Sequence, residues 1–142
     1  MPKLLWSRAL RFDYPCFPGS FEIPDDWWLE AGMQEFKAST TSYRSCAAAV
    51  AISLTDIEPP PRARSARRDF NGFVRSQFIS ILDGIVNGAE IEPVALVRLP
   101  ERSNWVKVGY DYQVNDGFHR FHASVAAGFE FLPARIVPMA SL

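Results

Sequence analysis

A chain of 142 residues, 48% hydrophobic and 22% charged, is long enough to bury one core and too short for two. Its 15 basic and 16 acidic residues leave a net charge of −1, which argues against nucleic-acid binding, because that affinity comes largely from neutralised phosphates. No apolar run is long enough for a membrane, and Arg8 and Arg11 follow residues 1–6 too soon for a secretory signal, so a cytoplasmic protein is predicted.

Pro15, Pro18 and Gly19 break up residues 1–22, which read as an irregular arm lying on the domain. Pro24-Asp25-Asp26 opens a helix predicted to run to about Lys37, with carboxylates where the helix dipole favours them. Trp28, Leu29, Met33 and Phe36 fall on its apolar stripe. The adjacent Trp27 and Trp28 are a candidate face for a protein partner; one core ring beside one half-covered ring is the plainer reading. Residues 47–54 read as a buried strand. Residues 55–61 end in three prolines, which continue neither helix nor sheet, and so form a loop. Arg62, Arg64, Arg67 and Arg68 follow, suited either to phosphate or to solvent.

A second helix carries Val74, Phe78, Ile81, Leu82 and Ile85 at helical spacing, with Asp69 or Asn71 as its cap and Gly88 at its end. Residues 94–99 are a strand, 100–104 a polar loop, and 105–114 a further strand or hairpin arm. Asp116-Gly117 makes a turn into a third helix, which has Phe118, Phe121, His122, Val125 and Ala126 on one side and Gly128 at its end. Residues 131–137 form the last strand, in which Pro133 argues for an edge position or a bulge. The order strand, helix, strand, strand, helix, strand predicts an α+β fold. Residues 1–46 form an arm and helix packed on a domain of residues 47–142, one unit overall.

The third helix carries the chemistry. A tight turn into a helix leaves the first N–H groups without intrahelical partners, and the dipole favours an anion before them. Gly117 allows close backbone approach, while His119 and Arg120 add a titratable donor and a guanidinium fork. Two basic groups in a first turn oppose the dipole unless an anion offsets them. The alternative is local: Arg120 paired with Asp116, and His119 on the surface. His122 reads as a packed histidine rather than a metal ligand, since no third ligand clusters with it and His119. Cys16 and Cys46 match no metal or redox spacing.

Asp116-Gly117-Phe118-His119-Arg120, followed by Ala123 and a helix closed by Ala127-Gly128, resembles the phosphate-binding motif of the ParB/sulfiredoxin superfamily. The likeness spans about residues 47–138. Residues 52–59 look like an opening strand and loop, Ile91-Glu92-Pro93-Val94 like a turn and strand, and Leu132-Pro133-Ala134 like the closing strand. The resemblance implies a small mixed sheet with helices, and a nucleotide phosphate held by Gly117, Phe118, His119 and Arg120. Arg62 or Arg64 would reach the same phosphates. Sulfiredoxins place their catalytic Cys where this chain has Phe118, so that activity is not expected; partition proteins carry further domains and a different motif after the glycine.

The resulting expectation is a protein binding ATP or another nucleoside triphosphate with magnesium, and carrying out phosphoryl transfer or NTP hydrolysis if it turns over. Asp116 and His119 are the catalytic candidates, with Asp116 orienting His119 or a metal. The alternative is a non-enzymatic nucleotide-sensing or protein-interaction module, for which nucleotide-driven homodimerisation would be diagnostic. A nuclease ranks behind both.

Overall fold

The computed structural model describes residues 8–15, 18–61, 69–100 and 109–138, and in them the chain is α+β. A mixed sheet runs in the order β3 (Val50–Ser53), β7 (Phe131–Val137), β5 (Val94–Arg98), β6 (Tyr112–Asp116) and β4 (Ile57–Glu58). β3 and β6 run antiparallel to their neighbours β7 and β5, whereas β5 runs parallel to β7 and β4 parallel to β6. Helices α2 (Arg75–Val86) and α3 (Phe118–Ala127) pack against each other beside it. Among the described residues no helix is long and apolar enough to cross a membrane.

β5 shows why the sheet closes here. Val94, Ala95, Leu96 and Val97 are all buried, so over this apolar run neither face of the strand meets solvent, and only the terminal Arg98 is exposed. From α2 come Phe78, Leu82 and Ile85, the periodic residues read from the sequence; from α3 come Phe121, Ala123 and Ala126. Burying each large side chain contributes about 1.5–3 kcal/mol, and Phe78, Leu82, Leu96 and Phe121 are completely covered.

The described part of residues 1–22 is not an irregular arm. β1 (Ala9–Asp13) and β2 (Ser20–Pro24) form an antiparallel ribbon with Leu10 opposite Ile23 and Phe12 opposite Phe21. The breakers Pro18 and Gly19 lie in its connection, which a hydrogen bond from Tyr14 N–H to the Gly19 carbonyl closes. Phe21 and Ile23 enter the same hydrophobic cluster as β5, α2 and α3. Through Phe21 and Ile23 the ribbon therefore contributes to the core.

α1 (Asp25–Glu30) is much shorter than the helix expected to reach Lys37. Gly32, at φ +82°, ends it, with its N–H on the Leu29 carbonyl and that of Met33 on Trp28. Shortening the helix changes its inner face: Trp27 and Met33 are buried, Trp28 is half-covered and Leu29 is exposed. The tryptophan pair is thus one core ring and one partly covered ring. Arg75 at the start of α2 pairs with Glu30 at the end of α1.

Three further expectations change. The strand read within residues 47–54 is β3, an edge strand with Val50 exposed rather than a buried one. The loop after it contains a 3-10 turn (Leu54–Asp56) and the short β4. Pro133 sits in a strand that has neighbours on both sides. It is tolerated there because β5 pairs with β7 only from Ala134 onward, so at Pro133 the one neighbour is β3. Residues 101–104 of the predicted loop and 105–108 of the predicted strand lie outside the described residues.

Candidate functional site

The site begins with a misregister. β5 and β6 pair Ala95 with Asp116 but Leu96 with Val114, so Asn115 is an extra residue on β6. Such a bulge turns the strand end and re-aims the residues beyond it. Next comes Gly117, buried, at φ +124°, with the site of a missing Cβ only 2.8 and 2.9 Å from the two γ carbons of Val94. Backbone angle and packing both demand glycine here. α3 starts immediately, and no side chain caps its N-terminus.

An open cleft of about 390 Å3 lies over this start, lined by 116–120 on one side and by Pro61, Gly72, Gln77 and Ile81 on the other. Its volume falls within the ordinary range for small-ligand sites. The four members of the predicted cradle therefore border a common space. Among them Phe118 is half-buried, its ring 5.4 Å from that of Phe73 and 4.6 Å from that of His122, so this residue meets the cleft as wall and backbone.

Arg120 is anchored from below. Its Nη1 donates to the carbonyl oxygens of Pro93 at 2.8 Å and Glu92 at 3.2 Å, while Nη2 lies 3.8 Å from Asp116 Oδ2. One arm of the fork is thus fixed to the loop before β5, and the other faces the carboxylate at the cleft rim. The arginine side chain is 20% exposed and that of Asp116 77%. Such a pair contributes little to stability, which leaves both groups available to exchange partners with a ligand.

His119 has a different setting from the one expected of a surface donor. It is buried, and its Nε2 accepts the backbone N–H of Val74, the residue preceding α2, at 2.9 Å. That nitrogen must be unprotonated, and its lone pair is in use. His122, fully buried, receives the Tyr14 hydroxyl on Nε2 and donates from Nδ1 to the Phe118 carbonyl, both at 2.9 Å. Rings of Phe21, Phe73, Phe118 and Phe121 surround it, all within 5.2 Å between centroids. It is a packed histidine. Among the described residues no group of three His, Cys, Asp or Glu is placed to hold a metal.

The opposite wall comes from residues that carry no signal of chemistry in the sequence. Phe70 and Phe73 bridge each other across Asn71 and Gly72, at φ +47° and +93°. Two consecutive positive φ values are the mark of a hairpin turn, and Asn-Gly is its strongest sequence signal. Asn71 is consequently not the cap of α2; Asp69 Oδ2 takes the Arg75 N–H at 2.7 Å. This turn presents Gly72 to the cleft and Phe73 to the core. Arg62 and Arg64 lie outside the described residues.

Tyr43 completes the surroundings. Its hydroxyl donates to the Glu92 carbonyl at 2.6 Å, and burial pushes the phenol well above the usual tyrosine range, an effect that the nearby Arg120 charge partly opposes. A group whose folded pKa is raised contributes stability that is complete below about pH 10 and lost as the pH climbs further. Alkaline titration followed at 295 nm should therefore show a late tyrosine ionisation that Tyr43→Phe removes. Loss of an ionisation from the ordinary tyrosine range near pH 10, with the late one retained, would contradict the burial.

The chain matches no protein-family model, no curated protein and no solved structure at a significant level.

Proposed function

We propose that the 117–120 turn holds the phosphate of a nucleotide, in the manner of the ParB/sulfiredoxin-like motif that these residues resemble. The observation that carries the reading is the cleft of about 390 Å3 built directly over an uncapped helix start with Arg120 at its edge. The first-turn N–H groups and the positive end of the helix dipole suit a phosphate group. Arg120 would add the charge-assisted contact through Nη2. Gln77, Ile81 and Pro61 leave room beyond the phosphate for the rest of a mononucleotide. Magnesium would enter with a triphosphate, which typically shares it with one or two carboxylates; Asp116 is the acidic residue of the cleft wall among the described residues.

One observation favours binding without turnover. Of the two catalytic candidates, His119 already uses Nε2 to accept a backbone N–H, so that nitrogen is not a base for substrate. Asp116 is the candidate that stands exposed on the cleft wall. Sensing or assembly driven by a bound nucleotide is therefore the leading role, ahead of phosphoryl transfer or hydrolysis.

Isothermal titration of the full chain with ATP, GTP, CTP and pyrophosphate, with and without magnesium, tests the proposal. Binding of at least one compound at one site per chain is expected. Heat signals absent across the whole panel would sink it, and released inorganic phosphate would move the protein into the enzyme class.

A further inference from the structure

The carbonyl oxygen of Glu92 has two donors. Arg120 Nη1 approaches at 3.2 Å and the Tyr43 hydroxyl at 2.6 Å. Tyr43 is buried, and it belongs to a segment bound along two loops at the sheet entrance. The Thr41 carbonyl accepts the N–H groups of Glu130 and Phe131 at the start of β7. Arg44 takes the Ile91 N–H on its carbonyl and donates from Nη1 to Gly88, while Ser45 donates its hydroxyl to the Ile91 carbonyl. Residues 87–93 connect α2 to β5, and this loop supplies both carbonyls that anchor Arg120.

We infer that Tyr43 is a positioning residue for Arg120: through the shared Glu92 carbonyl it sets where the guanidinium fork points at the rim of the cleft. A loop lacks the regular ladder that fixes carbonyl directions in a sheet, so side-chain donors must do so. Tyr43 acts on the peptide plane of Glu92, and Arg120 reads that plane with one arm while the other arm faces the cleft. Residues 41–46 thereby become part of the site although none of them lines it. The consequence for affinity rests on the reading of Arg120 as a phosphate contact; the consequence for the guanidinium does not.

The test uses the full chain and Tyr43→Phe, which deletes one oxygen and keeps the ring. In the wild type, 15N NMR at low temperature should resolve separate Arg120 Nη signals, as a guanidinium held on carbonyls gives; in Tyr43→Phe they should shift and merge. Pyrophosphate affinity should fall about tenfold, the equivalent of one good hydrogen bond. That loss should vanish in an Arg120→Ala background, since the effect runs through Arg120. Unchanged Arg120 signals overturn the inference, as does an affinity loss of equal size in both backgrounds. If the wild type binds no pyrophosphate or nucleotide yet the signals merge, the functional reading fails and the positioning role stands. Should Tyr43→Phe not fold, the Tyr43 hydroxyl proton in Arg120→Ala provides the reciprocal reading, and an unmoved resonance overturns the inference.

Discussion

Arg120→Ala should weaken nucleotide or pyrophosphate binding by about 10- to 100-fold, the scale of a hydrogen bond from a charged group. Arg120→Lys should recover little of it. The guanidinium does two things with one planar group: Nη1 is tied to the Glu92 and Pro93 carbonyls, and Nη2 faces the cleft beside Asp116. An ammonium is a compact charge on a flexible stem and cannot divide its donors in this way. Some stability should go as well, about 1 kcal/mol, because the Pro93 carbonyl loses its arginine donor while that of Glu92 keeps Tyr43. Titration at constant temperature, alongside thermal melts, separates the two effects. Affinity unchanged in Arg120→Ala would place the anion elsewhere.

Gly117→Ala should cost more stability than the same change at Gly32, Gly84, Gly88 or Gly128. Two costs coincide at Gly117. A left-handed backbone costs an alanine about 1–2 kcal/mol, and the new methyl would overlap Val94, fully buried in β5 with its γ carbons 2.8 and 2.9 Å away. Overpacking of that kind costs about 1–3 kcal/mol more. The sum, about 2–5 kcal/mol, is a large part of the stability of an ordinary domain, about 5–15 kcal/mol. Gly128→Ala is the matched control. It has φ +87° but nothing within 4 Å of its Cβ position, so only the backbone cost applies. Chemical denaturation of both variants should show Gly117→Ala as clearly the worse; equal losses would show that Val94 yields freely.

What could be read in the sequence, and what could not, divides along physical lines. α2 and α3 were legible because each repeats apolar residues at helical spacing and ends at a glycine, Gly88 and Gly128, with positive φ. The turn into α3 was legible because Asp-Gly has few other uses. The ribbon of β1 and β2 was hidden by Pro15, Pro18 and Gly19, which mark a break without saying that two short strands flank it. α1 was overextended because the spacing of Met33 and Phe36 suits a helix; Gly32 carried the stop signal. His119 illustrates a limit of composition. A basic side chain at a helix start suggests an anion, but only the fold reveals that the N–H of Val74 occupies its nitrogen. The same holds for Tyr43, whose partner lies 49 residues away along the chain.

The hydrogen bond between Tyr14 and His122 joins residues 108 positions apart. During synthesis at roughly 5–20 residues per second, β1 and β2 would emerge about 5–20 s before the helix they dock on exists. For that interval Phe21, among the most deeply buried residues of the finished molecule, lacks the His122 ring and is covered only in part by Phe12 and Tyr14 of its own ribbon. A nascent chain in this state is sticky, and it gains its seal only when α3 arrives. Long-range closure of this sort slows folding. The ribbon of β1 and β2 thus completes its burial only once α3 has been made, and until then a ribosome-bound chaperone would have apolar surface to protect.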